Sequence, residues 1–241
     1  MRILIILRAS DDVMLPVSYN YLVQASIYNN ISHRLSKFLH DKGFVYGKRR
    51  FKFFTFSRLM GEYRVERGMI RFNGDVGLYV SSPIKRFIND LAHSVLRRGY
   101  LRFGVHDFEV VGITVPNQPN IGNEVVVRML SPVTVYSTLF TPDGRKKTYY
   151  YSPFEIEFQQ LINANIKKKY HVFFHKDLKS SFKIEPVKVR ETIVTYKNFL
   201  IKGWMGMFKL QGSKRAIQLA YDTGIGSKNS QGFGMFEIIS H

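Results

Sequence analysis

Hydrophobic positions in this chain fall into short clusters with either the strand or the helix period. Residues 2–8, Arg-Ile-Leu-Ile-Ile-Leu-Arg, are an unbroken apolar run between cations and predict a buried strand. Ser18 then reads as an N-cap, and Leu22, Ala25, Ile27, Tyr28 and Ile31 suit a helix over 19–31, weakened at Asn29-Asn30. Ser32 caps a second, short helix over 33–41 with Leu35, Phe38 and Leu39 inward, and Gly43 supplies the stop after Lys42. A basic loop, Val45-Tyr46-Gly47-Lys48-Arg49-Arg50, leads into a strand over 51–56. Strands over 69–72 and 76–80 are expected to turn at Asn73-Gly74. Pro83 suits the first position of a helix over 84–98, whose Phe87, Ile88, Leu91, Val95 and Leu96 share one face. Gly99 ends that helix, and residues 101–115 are strand material interrupted near Gly104.

The order to this point is β-α-β-β-α-β, the ferredoxin-like arrangement. Residues 116–123, rich in Pro, Asn and Gly, mark the boundary between a first domain at 1–116 and a second at 124–241. The second half repeats the order without a detectable sequence repeat. A strand over 125–129 continues past a break through Ser131-Pro132-Val133-Thr134-Val135-Tyr136, and a hairpin turns at Pro142-Asp143-Gly144. Pro153 opens a helix running to about Lys168, strands follow over 187–196 and 199–210, and Ser213 caps a helix over 214–222. A glycine-rich loop and a last strand over 235–239 complete the chain. The fold class is therefore α+β, two tandem ferredoxin-like (RRM-like) domains with a C-terminal glycine-rich loop. Open four-stranded sheets of this kind bind single-stranded RNA in RRM proteins. Gln231-Gly232-Phe233-Gly234-Met235-Phe236 approximates the RRM signature, but that signature belongs on an interior strand and this copy lies on the last one.

Charge sharpens the functional reading. Lys and Arg number 36 against 18 Asp and Glu, a formal net charge of +18, which points to a polyanionic partner such as nucleic acid. Aromatic residues make up 15% of the chain, enough to fill a core and leave rings for stacking on bases. With no cysteine, structural disulfides and thiolate metal sites are excluded, in agreement with a cytoplasmic location. The N-terminal apolar run ends at Arg8, too early for a signal peptide, and no later run is long enough to span a membrane.

The stretch Thr223-Gly224-Ile225-Gly226-Ser227-Lys228-Asn229-Ser230-Gln231-Gly232-Phe233-Gly234 carries the strongest binding signal. Glycines permit positive φ and close approach, and successive free N–H groups in such a turn form an anion nest. Gly224, Gly226, Gly232 and Gly234 would shape that cradle, with Ser227, Lys228, Asn229 and Ser230 offering donors and charge to an RNA backbone. The P-loop spacing is absent, and the dinucleotide pattern fails at Asn229. A glycine turn that only packs two elements together is the competing reading.

No His-Glu-x-x-His helix occurs and the carboxylates are scattered, so a nuclease here is expected to work without metal or other cofactor. RNA permits this, because its own 2′-OH can attack the neighbouring phosphate if the protein supplies a base, an acid and a cation. Among the seven histidines, His40 stands at a helix end and is followed by Lys48-Arg49-Arg50 and Lys52. A histidine so placed is suited to proton exchange near neutral pH. His93 and His106 read as structural, His171 and His175 lack an obvious partner, and His33 remains a rival at the start of the same helix.

The chain resembles the CRISPR-associated repeat-processing endoribonucleases, the Cas-six family of the repeat-associated mysterious proteins. The resemblance is carried by Tyr19-Asn20-Tyr21 through Ile27-Tyr28-Asn29, by Leu39-His40-Asp41-Lys42-Gly43 with Lys52-Phe53-Phe54-Thr55-Phe56-Ser57, by Leu130-Ser131-Pro132-Val133 and by the glycine loop. It implies tandem ferredoxin-like domains and metal-independent cleavage of the repeat in a CRISPR precursor RNA, leaving a 2′,3′-cyclic phosphate and a 5′-OH. It also implies a catalytic Tyr28, His40 and Lys52, the first two sharing acid and base work and the third stabilising the phosphorane-like transition state. Lys48 is a rival to Lys52, because the basic loop is longer than the match requires. The other function class is a non-catalytic RNA-binding scaffold subunit of a CRISPR effector complex, whose subunits are possible partners; a generic RRM-like RNA binder is a third.

Overall fold

The apolar run at the N-terminus becomes the middle of a sheet. In a computed structural model describing residues 1–9, 13–140 and 142–240, strand β1 (Arg2–Arg8) buries Ile3, Ile5 and Leu7 on one face. It is followed by β2 (Met14–Pro16), α1 (Asn20–Asn29), α2 (His33–Lys37) and a π-helical turn, Phe38–Lys42. Next come β3 (Phe44–Tyr46), β4 (Arg49–Phe51), β5 (Thr55–Phe56), β6 (Met60–Glu66), β7 (Met69–Ser81), α3 (Lys85–Arg98), β8 (Tyr100–Phe103) and β9 (His106–Thr114). Strand β1 lies antiparallel between β7 and β9, and β6 pairs with β7. The path β6-β7-β1-β9 is the strand order of a ferredoxin-like sheet, to which β2, β5 and β8 add short edges. Helices α1 and α3 bury Val23, Ile27, Phe87, Ile88, Leu91 and Val95 in the core that this sheet shares.

The second half has β10 (Glu124–Met129), β11 (Tyr136–Phe140), β12 (Lys146–Tyr150), α4 (Ile156–Phe174), β13 (Lys183–Tyr196), β14 (Phe199–Gln211), α5 (Lys214–Thr223) and β15 (Phe236–Ser240). A 3-10 turn, Asn229–Gln231, interrupts the glycine loop. The sheet order β13-β14-β10-β15 repeats the first topology, with α4 and α5 packed on a separate core. Ser213 caps α5 by accepting from the Ala216 N–H, as its position before the helix predicts.

Several sequence expectations are corrected. Residues 69–81 form one strand, and the hairpin turns at Arg67-Gly68, because the exposed and charged β6 supplies the partner that the hydrophobic pattern does not announce. Gly74 does take φ 73°, but where the pairing jumps from Met60↔Gly77 to Glu62↔Asn73, so it serves a bulge. The basic loop is the hairpin β3–β4, and the expected strand over 51–56 breaks at Phe53, whose φ is 51°. The expected helix over 33–41 widens into the π turn after Lys37. Leu96 is exposed rather than core. Helix α4 starts at Ile156 and runs on to Phe174, past the Lys167-Lys168-Lys169 run.

The halves are joined by polar contacts as well as packing. Arg2 is buried with its guanidinium 3.6 Å from the centre of the Tyr221 ring, donating to Phe236 O (2.8 Å) and Tyr221 O (2.9 Å). A small third core of Val194, Tyr196, Ile201 and Phe233 packs against Tyr21 of α1.

Candidate functional site

Helix α1 carries Tyr28 in its last turn, half-buried and edge-on to Phe54 at 5.6 Å between ring centres. The π turn beyond α2 sends Leu39 fully inward and leaves the His40 side chain 76% exposed. Gly43 reverses the chain with φ 63°, and a Cβ there would lie 2.7 Å from Phe51 O. That close approach brings Lys52 against the turn it follows. The Lys52 ammonium donates to Leu39 O and to His40 O (2.7 Å), two carbonyls at the helix end that lack helical partners. The His40 ring meets the Tyr28 ring edge-on at 6.1 Å. Tyr28, His40 and Lys52 thus line one groove of about 710 Å³.

Electrostatics set these groups apart. Burial, with the Tyr196 phenol nearby, pushes the Tyr28 hydroxyl well above the ordinary phenol range, so it stays protonated at neutral pH. His40 Nδ1 lies 2.9 Å from Asp41 Oδ1, and that contact holds the Asp41 carboxyl below its usual range. An ionised Asp41 favours the proton on Nδ1, which leaves Nε2 as the acceptor. Lys52 is lowered by burial and by neighbouring Arg50. An ammonium has three donors, so two bonds to carbonyls leave one N–H for a ligand.

The opposite wall comes largely from the second half. Tyr196, Lys197, Ser230 and Gln231 face the groove across from Tyr28 and Lys52, and the Tyr196 hydroxyl donates to Gln24 Oε1 on α1. A second cavity of about 230 Å³ adjoins it through Lys52, Ser230 and Gln231. Arg49, Arg50, Gly226, Ser227, Lys228 and Asn229 also line it. The Lys228 ammonium lies 5.0 Å from the centre of the Tyr136 ring, and burial lowers its pKa. Lys48 sits in the exposed hairpin turn outside both cavities. His33 lines neither, and His171 pairs with Asp177 at 2.7 Å. His241 lies outside the described residues.

The glycine loop is built differently from a free anion nest. Gly224, Gly226, Gly232 and Gly234 all have positive φ, and a Cβ on each meets protein atoms at 2.7 Å or less. For Gly226 the obstacle is Thr134 O at 2.6 Å, for Gly232 the Phe56 ring at 2.5 Å, and for Gly234 Ile225 O at 1.9 Å. The N–H groups of Ile225, Ser227 and Gly234 are spent on Gly234 O, Thr134 O and Pro132 O. The glycines therefore serve packing, while Ser227, Lys228 and Ser230 face the cavity. The first half holds the loop by its carbonyls. Asn20 donates to Gln231 O (3.0 Å), Gln24 to Ser230 O (2.6 Å) and Thr55 to Phe233 O (3.1 Å).

Lys169 is the residue that sequence reasoning missed. It is only 2% exposed, and its ammonium donates to Gly224 O and Asn229 Oδ1 (both 2.7 Å) and lies 3.3 Å from Thr223 Oγ1. Asn229 in turn donates to Ile225 O and Phe233 O (both 3.0 Å), so one lysine and one amide tie the loop together. Burial pushes Lys169 down to about 7. The signal was helical phase: Ile162, Ile166, Lys169 and Tyr170 share a buried face. Gln231 Oε1 is likewise buried without a partner among the described residues.

This constellation, a tyrosine, a histidine and an anchored ammonium beside the glycine loop of a second ferredoxin-like half, defines the class of tandem ferredoxin-like proteins equipped to handle RNA. Residues 14–114 match the family described as CRISPR-associated protein Cas6, N-terminal, and residues 115–238 match CRISPR-associated protein Cas6, C-terminal. The chain belongs to the Cas6 family. It is 33% identical to CRISPR-associated endoribonuclease Cas6 1 of Methanocaldococcus jannaschii, over 98% of this chain and 91% of that one. A solved structure of a Cas6-related protein from Pyrococcus furiosus superimposes with a TM-score of 0.87 and 27% identity, covering 99% of this chain and 98% of its own. Another, described as a RAMP protein binding different RNA substrates, gives 0.86 and 26% over the whole of both chains.

Proposed function

We propose that this protein is an endoribonuclease that cuts the repeat in CRISPR precursor RNA, releasing guide RNAs, and does so without metal. The observation that carries the reading is the meeting of Tyr28, His40 and Lys52 in one groove beside the basic loop cavity. In the reaction His40 Nε2 takes the proton of the 2′-OH as that oxygen attacks the adjacent phosphorus. Charge builds on the non-bridging oxygens, where the remaining N–H of Lys52 stabilises it. The bond from phosphorus to the 5′-oxygen breaks, and that oxygen takes the proton from Tyr28, a group that burial keeps protonated until then. The products are a 2′,3′-cyclic phosphate and a 5′-OH. Solvent then returns the proton to Tyr28 and removes the one on His40.

Among the described residues no group of three or more His, Asp or Glu side chains is placed to hold a metal ion. No helix among them is long and apolar enough to cross a membrane. We further propose CRISPR effector subunits as partners, read by co-purification. The decisive experiment incubates the protein with labelled repeat RNA in EDTA, beside the same RNA with a single 2′-deoxy sugar just 5′ of the cut. The ribo substrate is expected to be cut at one position and the deoxy substrate to be bound but intact. Normal cutting of the deoxy RNA, or none of the ribo RNA, overturns the mechanism.

A further inference from the structure

A second groove, of about 490 Å³, runs on from the first across helix α1. Tyr21, Ala25 and Asn29, one stripe of α1, line both, so the two grooves adjoin along that helix. Its far wall is made by the end of α3 and by strand β8, through Arg98, Tyr100 and Arg102. The chemistry of that wall is specific. Tyr100 is half-buried, with the Arg102 guanidinium 5.4 Å from the centre of its ring, and Arg102 is held by Asp107 through bonds of 2.6 and 2.7 Å. Arg98 is exposed, has no partner among the described residues, and stands in the last turn of α3. Asp107 is committed to Arg102, and Glu109, across from Tyr100 on β9, does not line the groove. A tyrosine face braced by a guanidinium, beside an unpaired arginine, matches a nucleotide: a base to stack and a phosphate to neutralise.

Resting on the function proposed above, we infer that this groove binds the single-stranded RNA on one side of the cut. A base stacks on Tyr100 and the following phosphate pairs with Arg98. Adjacency to the groove of Tyr28, His40 and Lys52 sets the occupant. RNA whose scissile phosphate lies at His40 must leave along one of the open ends, and this end offers an aromatic and a cation instead of bare surface. The groove therefore holds the strand in register and selects against RNAs that end at the cut.

The test uses the full chain and three RNAs. One is a repeat blocked by a 2′-deoxy sugar at the cut; the others are truncated at the cut on the 5′ or the 3′ side. Affinities are measured for wild type, Arg98→Ala, Tyr100→Ala and Tyr100→Phe at several salt concentrations, with thermal unfolding alongside. Tyr100→Ala is expected to weaken binding of the blocked repeat roughly 5- to 150-fold, the usual worth of one stacked base. It should do the same for one truncated RNA and leave the other unchanged. Tyr100→Phe keeps the ring and should retain wild-type affinity. Arg98→Ala should lower the salt slope by ~0.7 on those same two RNAs. Equal losses on all three RNAs, or none, overturn the inference. If the wild-type chain fails to bind the blocked repeat, the underlying functional reading falls instead.

Discussion

At the scale of single residues, the mechanism proposed above rests on a few atoms of His40, Asp41 and Lys52. His40→Ala removes the proposed acceptor of the 2′-OH proton and should slow cleavage by roughly 10²- to 10⁴-fold while RNA affinity changes little. Single-turnover rates beside binding curves check this, and a wild-type rate would remove the role from His40, with His33 outside both cavities. Lys52→Ala should also slow cutting, whereas Lys48→Ala should not, since Lys48 lies outside both cavities. Lys169 adds a pH test. Burial holds its folded pKa at about 7, below the ordinary lysine value of 10.5, so the unfolded chain binds the proton more tightly. Stability from this group should therefore rise as pH climbs from about 7 toward 10.5 and stay flat below about 7. Lys169→Met should remove that rise, as melting temperatures of both proteins across the range would show. The catalytic candidates were legible because chain order and family likeness marked Tyr28, His40 and Lys52. Lys169 was not, because a run of three lysines reads as a solvated face until the helix is known to continue past it.

At the scale of elements, the glycine loop changes its meaning. Its spacing suggested an open cradle, and the structure gives the glycines to packing against Thr134, Phe56 and Ile225. Gly226→Val should thus lower the melting temperature as well as RNA affinity, because the new Cβ meets a carbonyl that cannot move without the strand behind it. Lys228→Ala should leave folding intact and reduce the salt slope of RNA binding by ~0.7. Calorimetry together with salt titrations separates the two effects. Regular elements with a buried face were readable from sequence, as β1, α3 and α5 illustrate. Strand β6 was not, since nearly all its residues are exposed and backbone pairing to β7, with the one Tyr63–Phe72 ring contact, holds it. The π turn was equally hidden: it is dictated by the need to bury Leu39 while Gly43 doubles back on Phe51.

At the scale of the whole molecule, the two ferredoxin-like sheets were readable as a repeated element order, but their seam was not. Arg2, next to an apolar strand, gave no hint that it would be buried on Tyr221 beside two carbonyls of the other half. Arg2→Ala takes a charged donor from both carbonyls, leaving Tyr221 O only the long contact from Ser81 Oγ, and opens a void, at a cost on the order of 3 kcal/mol. Urea unfolding should then begin at the seam and lose its single transition. Wild-type coincidence of the curves would mean that the halves are held by packing alone.

The manner in which the first half grips the glycine loop has a consequence for evolvability. Asn20, Gln24 and Thr55 hold main-chain oxygens of residues 230–233, and every amino acid carries that oxygen. Side chains at 227, 228 and 230 carry none of these docking bonds, although they face the cavity. The tip of the loop is thus an interchangeable part. New side chains can be tried there against new repeat sequences without re-engineering the joint that keeps the catalytic groove in shape.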